Sequence, residues 1–532
     1  VGRVLFATVE ILLFSALILA TRCANYRDVF VGGEIYFTDA DCYSRMTRVR
    51  TCLENPGIIL RHHSFENYPT GTTPHTTAPL DYLIATLAGV MKLITSRALD
   101  LAGAIVSPLM ALVTGWFLWW WSRWSQLQYR GALLLLYAVS PILVHGAELG
   151  RPDHQSLLIG LIAVALCAEW SLTLASLKPV GAPRSFLHWS LVSGVAWGLA
   201  LWVSFYEPLI LLGVLVISQA LFARQSFTAS HRLAGWAVCA GIVLLALAIE
   251  QRLPAWPGAG AYPIFANWAR TIGELSPVAV DDRTWFRWTG LLLIALPALL
   301  WIAMTKLRSL PHFLTALLIA SFALTLWQAR WAYFFVMIFA LALPALLTVF
   351  RNQIAGWIVF VISLFPVLSE WDEKLWPNER QNALLLERRA EAVGWRQAAR
   401  EIAPSGEAPF LAPWWWSPAV TYWSGQPGVA GSSHGALAGI ERSARFFLAT
   451  NPDEATELLL KTKAAWVIAY DAERMVANSA ALLGVPPPEN ALAHVLDRTP
   501  AHAPSFLQLV SQNAACKLFR VRIFQEKEDF PR

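Results

Sequence analysis

Apolar residues in this chain fall in long unbroken runs rather than in the alternation of a half-buried strand or the single stripe of a surface helix. The runs are about 15–22 residues long, as a hydrocarbon core of roughly 30 Å requires of helices that satisfy their own backbone groups. They predict membrane spans at Val4–Ala20, Leu99–Trp120, Gly131–Ala147, Ser156–Ser176, Leu187–Val203, Pro208–Phe222, Leu233–Ile249, Trp288–Thr305, Pro311–Trp327, Trp331–Phe350 and Ile354–Leu368. That is roughly eleven crossings. Pro79–Ile94 is also apolar, but counting it alone would reverse the side of every later loop. No small-residue cleavage site follows the first run, only Thr21, Arg22, Cys23 and Asn25, so an uncleaved anchor is expected. Beyond Ser369 the hydropathy collapses into an amphipathic stretch, Glu370–Ile402, and short β-type runs such as Trp466–Tyr470 and Leu518–Phe524. The pattern predicts a polytopic α-helical membrane domain over 1–368 and a mixed α/β domain over 369–532.

Composition agrees with that class. Hydrophobic residues make up 56% of the chain and charged ones only 14%, which leaves too little polar surface for a soluble protein of 532 residues. Charge then sets the sides. With the N-terminus and Arg3 inside, the inner loops hold Arg123 and Arg130, Lys178 and Arg184, Arg224 and Arg232, Lys306 and Arg308, and Arg351, with no acid among them. The opposite loops, 22–98, 148–155 and 250–287, carry Glu34, Asp39, Asp41, Glu148, Asp153, Glu250, Glu274, Asp281 and Asp282, and a further outer acid, Glu207, sits at the start of a span. The domain after Ser369 falls on this acidic side, which in a bacterial inner membrane is the periplasmic face. The formal charge of +5 resides mostly in the basic inner loops and implies no nucleic-acid partner. Cys23, Cys42 and Cys52 lie in the first outer loop, leaving one disulfide open, but Cys42 and Cys52 would stand about 15 Å apart on a helix and could not pair there.

The outer loops carry the candidate chemistry. The first reads Thr38-Asp39-Ala40-Asp41-Cys42-Tyr43, the second Gly150-Arg151-Pro152-Asp153-His154-Gln155, and the long one Thr271-Ile272-Gly273-Glu274. Carboxylates Asp41, Asp153 and Glu274, from three loops on one face, can converge on a divalent cation, and hard oxygen ligands select Mg²⁺ or Mn²⁺. Each has an ordinary alternative. Asp-x-Asp and Pro152-Asp153 are also helix-cap patterns, and Arg330, at the mouth of an apolar run, is also where a snorkelling arginine sits.

These residues resemble motifs of the catalytic subunit family of oligosaccharyltransferases, in the GT-C class of membrane glycosyltransferases. Asp41-Cys42-Tyr43 is similar to the family's first-loop acidic motif, Asp153-His154-Gln155 to its second, and Thr271-Ile272-Gly273-Glu274 to its TIxE motif. Ala329-Arg330-Trp331 resembles the arginine-aromatic pair that contacts lipid-linked pyrophosphate. Pro413-Trp414-Trp415-Trp416-Ser417, with Tyr422-Trp423-Ser424-Gly425-Gln426-Pro427 after it, resembles the segment around WWDYG. Two departures stand out. Gln155 stands where the family often places a second charged or imidazole ligand, so ligation there passes to His154 or to water or weakens, and no Asp follows the tryptophans, so the usual hydrogen-bond acceptor for a sequon hydroxyl is absent.

The resemblance implies transfer of a glycan, with inversion, from a polyprenyl-phosphate or pyrophosphate donor to an acceptor on the outer face. Asp41, Asp153, Glu274 and His154 would hold the cation, Arg330 the donor phosphate, and Trp414, Trp415 and Trp416 the acceptor. A second reading keeps the donor but takes a lipid, polysaccharide or protein-hydroxyl acceptor. A third, favoured by the two departures, is a catalytically reduced structural subunit, and accessory membrane subunits are partners either role admits.

Overall fold

The computed structural model describes residues 2–74, 76–176, 183–252, 261–307, 309–404 and 406–523; Lys178, Arg308 and Phe524, assigned above to inner loops and a strand, lie outside them. Each of the eleven apolar runs lies on a helix or on a pair of helices broken within the run. Six described helices are long and apolar enough to cross a membrane alone: Val4–Arg22, Ala98–Trp124, His154–Leu174, Phe186–Val203, Ser230–Glu250 and Ala329–Leu347. Arg130–Val139, Tyr206–Phe222, Leu292–Leu307 and His312–Trp327 are shorter, and Gln353–Ser363 joins Phe365–Leu375 at a bend of 40°.

The run Pro79–Ile94 forms the helix Ala78–Met91, and contacts at both ends fall on the side of the bundle that carries the C-terminal region. At its start the Thr77 hydroxyl donates to the carbonyls of Trp202 and Val203, 2.6 and 3.1 Å away at the end of the helix Pro183–Val203. Past its far end Arg97 pairs with Glu34 at 3.3 Å, and Glu34 pairs in turn with Arg396 of the C-terminal region at 2.8 Å.

The expected span Gly131–Ala147 is two helices, Arg130–Val139 and Pro141–His145, because Pro141 has no N–H to continue the ladder. The freed carbonyls are collected by other side chains. Arg22 donates to the carbonyls of Tyr137, at 2.8 Å, and Ala138, and the Trp371 indole donates to that of Val139 at 2.6 Å. The Ala138 carbonyl also accepts from the Thr21 hydroxyl at 2.9 Å, and in an apolar medium carbonyls left without such donors would stand unsatisfied. The break delivers His145 to the outer end of the bundle.

Arg232, assigned above to an inner loop, is instead buried in the helix Ser230–Glu250. It makes two 2.9 Å contacts with both oxygens of Glu169, on the helix His154–Ser176, and Gln219 and Ser193 complete the shell at 2.7 and 2.5 Å. A buried guanidinium tolerates such a place only beside a carboxylate whose lone pairs are filled. The helices that meet here pack closely, and a Cβ on Gly194 would collide with the Gly235 carbonyl.

The C-terminal region is built on a four-stranded sheet in the order Phe410–Leu411, Trp466–Tyr470, Cys516–Val521, Leu507–Gln512, its first pair parallel and the others antiparallel. Trp466–Tyr470 is buried at every position, as its unbroken apolar sequence requires of a central strand. The stretch Glu370–Ile402 is divided: Phe365–Leu375 continues the last span, and Glu379–Ile402 starts afresh behind a capping box of Asn378 and Gln381. All six cysteines are thiols, so the outer-loop disulfide is not formed.

The two parts dock through the first outer loop. The helix Ser417–Ser424 packs on Ala40–Glu54, with the Tyr43 and Trp423 rings edge to face at 5.0 Å, while Arg389 pairs with Asp28 at 2.7 Å.

Candidate active site

The outer helix ends surround one cavity of about 2320 Å³ that also reaches the C-terminal region. Asp41, Asp153, His154, Glu274, Arg330, Trp414, Trp415 and Trp416 all line it. Residues separated by up to 375 positions in sequence thus share one chamber. One flank is apolar, formed by Leu201, Val203, Leu209, Leu247 and Trp327 from four different helices.

Asp39 caps the helix Ala40–Glu54, its carboxylate accepting from the Cys42 N–H at 2.9 Å, which places Asp41 on the first helical turn facing the cavity. On the buried side of this helix Arg45 and Arg48 close on a single carboxylate, Asp81, at 2.8 and 3.2 Å. Two cations against one anion leave positive charge over, and Arg45 turns it towards Asp153 at 3.9 Å.

Asp153 precedes the helix His154–Ser176, and its Oδ1 accepts from both the backbone N–H and the Nδ1 of His154 at 2.7 Å. Burial alone would raise its carboxyl; the His154 imidazole, then Arg151 and Arg45, hold it well below the usual range. Asp41 goes the other way. It opens to the cavity but is walled in by protein, and this burial, followed by the charges of Asp39, Asp153 and Glu274, pushes it up to about 7.

Glu274 arrives on the 3₁₀ turn Gly273–Leu275 and is met by Arg151 at 2.6 Å and by the Tyr333 hydroxyl at 3.0 Å. Arg151 also reaches Asp39 at 3.3 Å and the His145 Nε2 at 3.1 Å, and the His145 Nδ1 lies 2.8 Å from the Tyr333 hydroxyl. Only one assignment of protons satisfies this ring: Arg151 donates to Nε2, Nδ1–H donates to Tyr333, and Tyr333 donates to Glu274. Opposite, Arg330 in the turn Ala329–Trp331 pairs with buried Glu207 at 2.9 Å, and its Nε has no partner.

Asp39, His145, Arg151, Glu207 and Tyr333 complete the polar wall, with Arg45 behind Asp153, although the sequence assigned them no role. Arg151 stood inside a quoted motif and Asp39 in the Asp-x-Asp, but nothing in their spacing marks them as partners of Glu274. Gln155 is fully buried away from the cavity lining, with neither amide atom partnered.

Trp415 and Trp416 are fixed by their own domain, and Trp414 packs on the long loop. Trp415 donates to the Tyr470 hydroxyl at 2.6 Å, Trp416 donates to Glu391 at 3.0 Å and stacks on Trp395, and Trp414 meets Trp268 edge to face at 6.0 Å. Of the three adjacent tryptophans, Trp414 is the one whose indole N–H has no partner.

A donor set of carboxylates such as Asp41, Asp153 and Glu274 is of the chemistry a hard divalent cation takes. Among the described residues, however, no three ligand-type side chains stand close enough to share one ion. His154 has its Nδ1 committed to Asp153, and Glu274 and Asp39 are held by Arg151.

No protein-family profile and no curated protein matches the sequence. Solved structures match the fold. The archaeal oligosaccharyltransferase AglB from Archaeoglobus fulgidus, in complex with an inhibitory peptide and a dolichol-phosphate, superposes with a TM-score of 0.68 at 14% identity, over 90% of this chain and 70% of the other. The same protein tethered to an acceptor peptide containing the NVT sequon gives 0.64, at 14% identity and the same coverage. ArnT from Cupriavidus metallidurans bound to undecaprenyl phosphate gives 0.55 at 12% identity, over 97% of this chain and 98% of the other. The chain therefore has the GT-C fold of these membrane proteins, with a C-terminal domain that carries a sheet.

Proposed function

We propose that this protein is a membrane glycosyltransferase that takes a glycan from a polyprenyl-phosphate or pyrophosphate donor and transfers it to an acceptor on the extracytoplasmic face. The observation that carries the reading is the single cavity in which Asp41, Asp153 and Glu274 face Arg330 beside an apolar flank. An amphiphile with an anionic head and a long hydrocarbon tail fits that division of polar and apolar wall. The solved structures that share the fold hold dolichol-phosphate or undecaprenyl phosphate, and a further AglB crystal structure carries zinc and sulfate.

In this reading Arg330, oriented by Glu207, binds the donor phosphate with a fixed charge. Asp41 and Glu274 accept hydrogen bonds from the nucleophile and align it with the anomeric carbon, while Asp153, steadied by His154, holds the helix end that carries it. The nucleophile bonds to that carbon as its bond to the phosphate oxygen breaks, with inversion. Asp41, Asp153 and Glu274 would have to draw together from where they stand to share a Mg²⁺ or Mn²⁺ ion, and an ion so held would neutralise charge developing on the leaving phosphate. The Trp414, Trp415 and Trp416 wall borders the acceptor side. Because the indoles of Trp415 and Trp416 are engaged within their own domain, we favour an acceptor other than a sequon peptide: a lipid, a polysaccharide or a protein hydroxyl.

The test is to purify the protein in a mild detergent, identify the lipid-linked glycan that accompanies it by mass spectrometry, and supply that donor to native, Asp41→Ala and Glu274→Ala proteins. Turnover by the native protein, lost in both variants without loss of folding, is expected. No turnover by the native protein with its own donor would favour the structural-subunit reading; equal turnover in Asp41→Ala would remove that residue from the catalytic site, and undiminished turnover in chelator would remove the metal.

A further inference from the structure

Glu274 is the only proposed cation ligand on the long outer loop, and one of its carboxylate oxygens is already taken. Its Oε1 accepts from Arg151 at 2.6 Å and from Tyr333 at 3.0 Å. The guanidinium is built into this place. Its side chain is only 8% exposed, His145 and Asp39 hold Nη1 at 3.1 and 3.3 Å, and the closed ring through His145 and Tyr333 fixes its plane. Arg151 is nonetheless incompletely satisfied, since its buried Nε has no partner. A monovalent cation of the chain thus sits between two acids, Asp39 and Glu274, while Asp41, within their field, remains repelled by both.

A divalent ion drawn to Asp41 and Glu274 would meet this guanidinium at close range, and like charges at such separation repel strongly where water is scarce. One carboxylate cannot give its best lone pairs to both. We propose that Arg151 and a divalent cation compete for Glu274, so that Arg151 sets the cation concentration at which the site fills and fastens the Glu274 loop to the helix ends when no ion is bound. This rests on the reading of the cavity as a cation-assisted transferase site. It makes Arg151 a positioning residue, acting through Glu274 rather than on the substrate.

The experiment measures Mn²⁺ binding directly, by the loss of free-ion paramagnetic resonance signal, on the full chain in detergent. Native protein, Arg151→Met and Arg151→Lys are compared at one pH, with melting temperatures as a check on folding. Arg151→Met removes the charge, and Mn²⁺ is expected to bind at least tenfold more tightly; Arg151→Lys keeps the charge without the planar fork and should fall between. Should Arg151→Met fail to fold, tighter binding by Arg151→Lys supports competition and equal or weaker binding overturns it. Native binding that neither variant tightens would overturn the competition and leave the cation reading standing. No binding by any of the three at millimolar Mn²⁺ would overturn both.

Discussion

Arg330 and Glu207 meet at 2.9 Å across two membrane helices, the carboxylate almost wholly buried and the guanidinium turned partly into the cavity. Removing the arginine therefore does two things: it deletes a phosphate contact, and it strands a buried anion at about 3–5 kcal/mol. Arg330→Ala should lose both donor affinity and stability. The double variant Arg330→Met, Glu207→Gln should recover most of the stability and none of the donor affinity, checked by thermal melting and by binding of a labelled polyprenyl phosphate.

The raised Asp41 carboxyl has a definite consequence for pH. A carboxyl whose folded value lies near 7, above its unfolded value near 3.8, binds more protons in the native state between these limits, so native stability falls as pH rises from about 4 to 7. Asp41→Asn should flatten that fall, giving a higher melting temperature than native protein at pH 7.5 and no advantage at pH 4. The same titration predicts that apparent cation affinity strengthens as pH rises through about 7, because the ion competes with the proton. Affinity independent of pH from 6 to 8 would remove Asp41 from the ligand set.

Within the membrane, the Glu169–Arg232 pair should behave as a unit. Glu169→Ala or Arg232→Ala leaves one buried charge uncompensated and should destabilise by about 3–5 kcal/mol, whereas Glu169→Leu combined with Arg232→Met should cost much less. Thermal melts of the three variants in the same detergent decide it, and strict additivity would show that the two charges are not coupled.

Arg22 is expected to matter for a different reason. It holds the carbonyls of Tyr137 and Ala138 at the Pro141 break; the Ala138 carbonyl also accepts from the Thr21 hydroxyl at 2.9 Å, so Arg22→Met should orphan the Tyr137 carbonyl and cost about 1–3 kcal/mol. Because the same break delivers His145 to the cavity, turnover should drop as well. Retention of both native stability and native turnover would show that water or lipid headgroups replace the guanidinium.

The acceptor prediction follows from the tryptophan wall. A sequon hydroxyl enclosed there finds no carboxylate in the segment, at a cost of about 1–3 kcal/mol, or roughly ten- to a hundredfold in binding. Peptides bearing Asn-x-Ser or Asn-x-Thr should be poor acceptors beside the natural one in a matched transfer assay. Efficient transfer to a Thr-containing peptide, lost on replacing that Thr by Ala, would return the protein to the N-glycosylating reading.

By itself the sequence determined where the chain is apolar for long enough to lie in a bilayer, and which residues are acidic on one set of loops. These are local properties, set by the hydrocarbon thickness and by the cost of burying charge, and they sufficed to put Asp41, Asp153, Glu274 and Arg330 on one face before any contact was known, while the tryptophans joined them only through the resemblance. Trp466–Tyr470 was legible as a strand for the same reason. Tertiary structure decided the partners. Arg232 reads as a loop cation until Glu169 appears beside it, 63 residues away. Gly131–Ala147 reads as one span until Arg22 and Trp371 cap its broken carbonyls. Arg151 reads as part of a motif until Glu274 arrives 123 positions later to share its charge. In each case a buried charge or an unpaired carbonyl is affordable only beside a complement brought from a distant segment, and that pairing is a property of the packed helices rather than of any stretch of sequence.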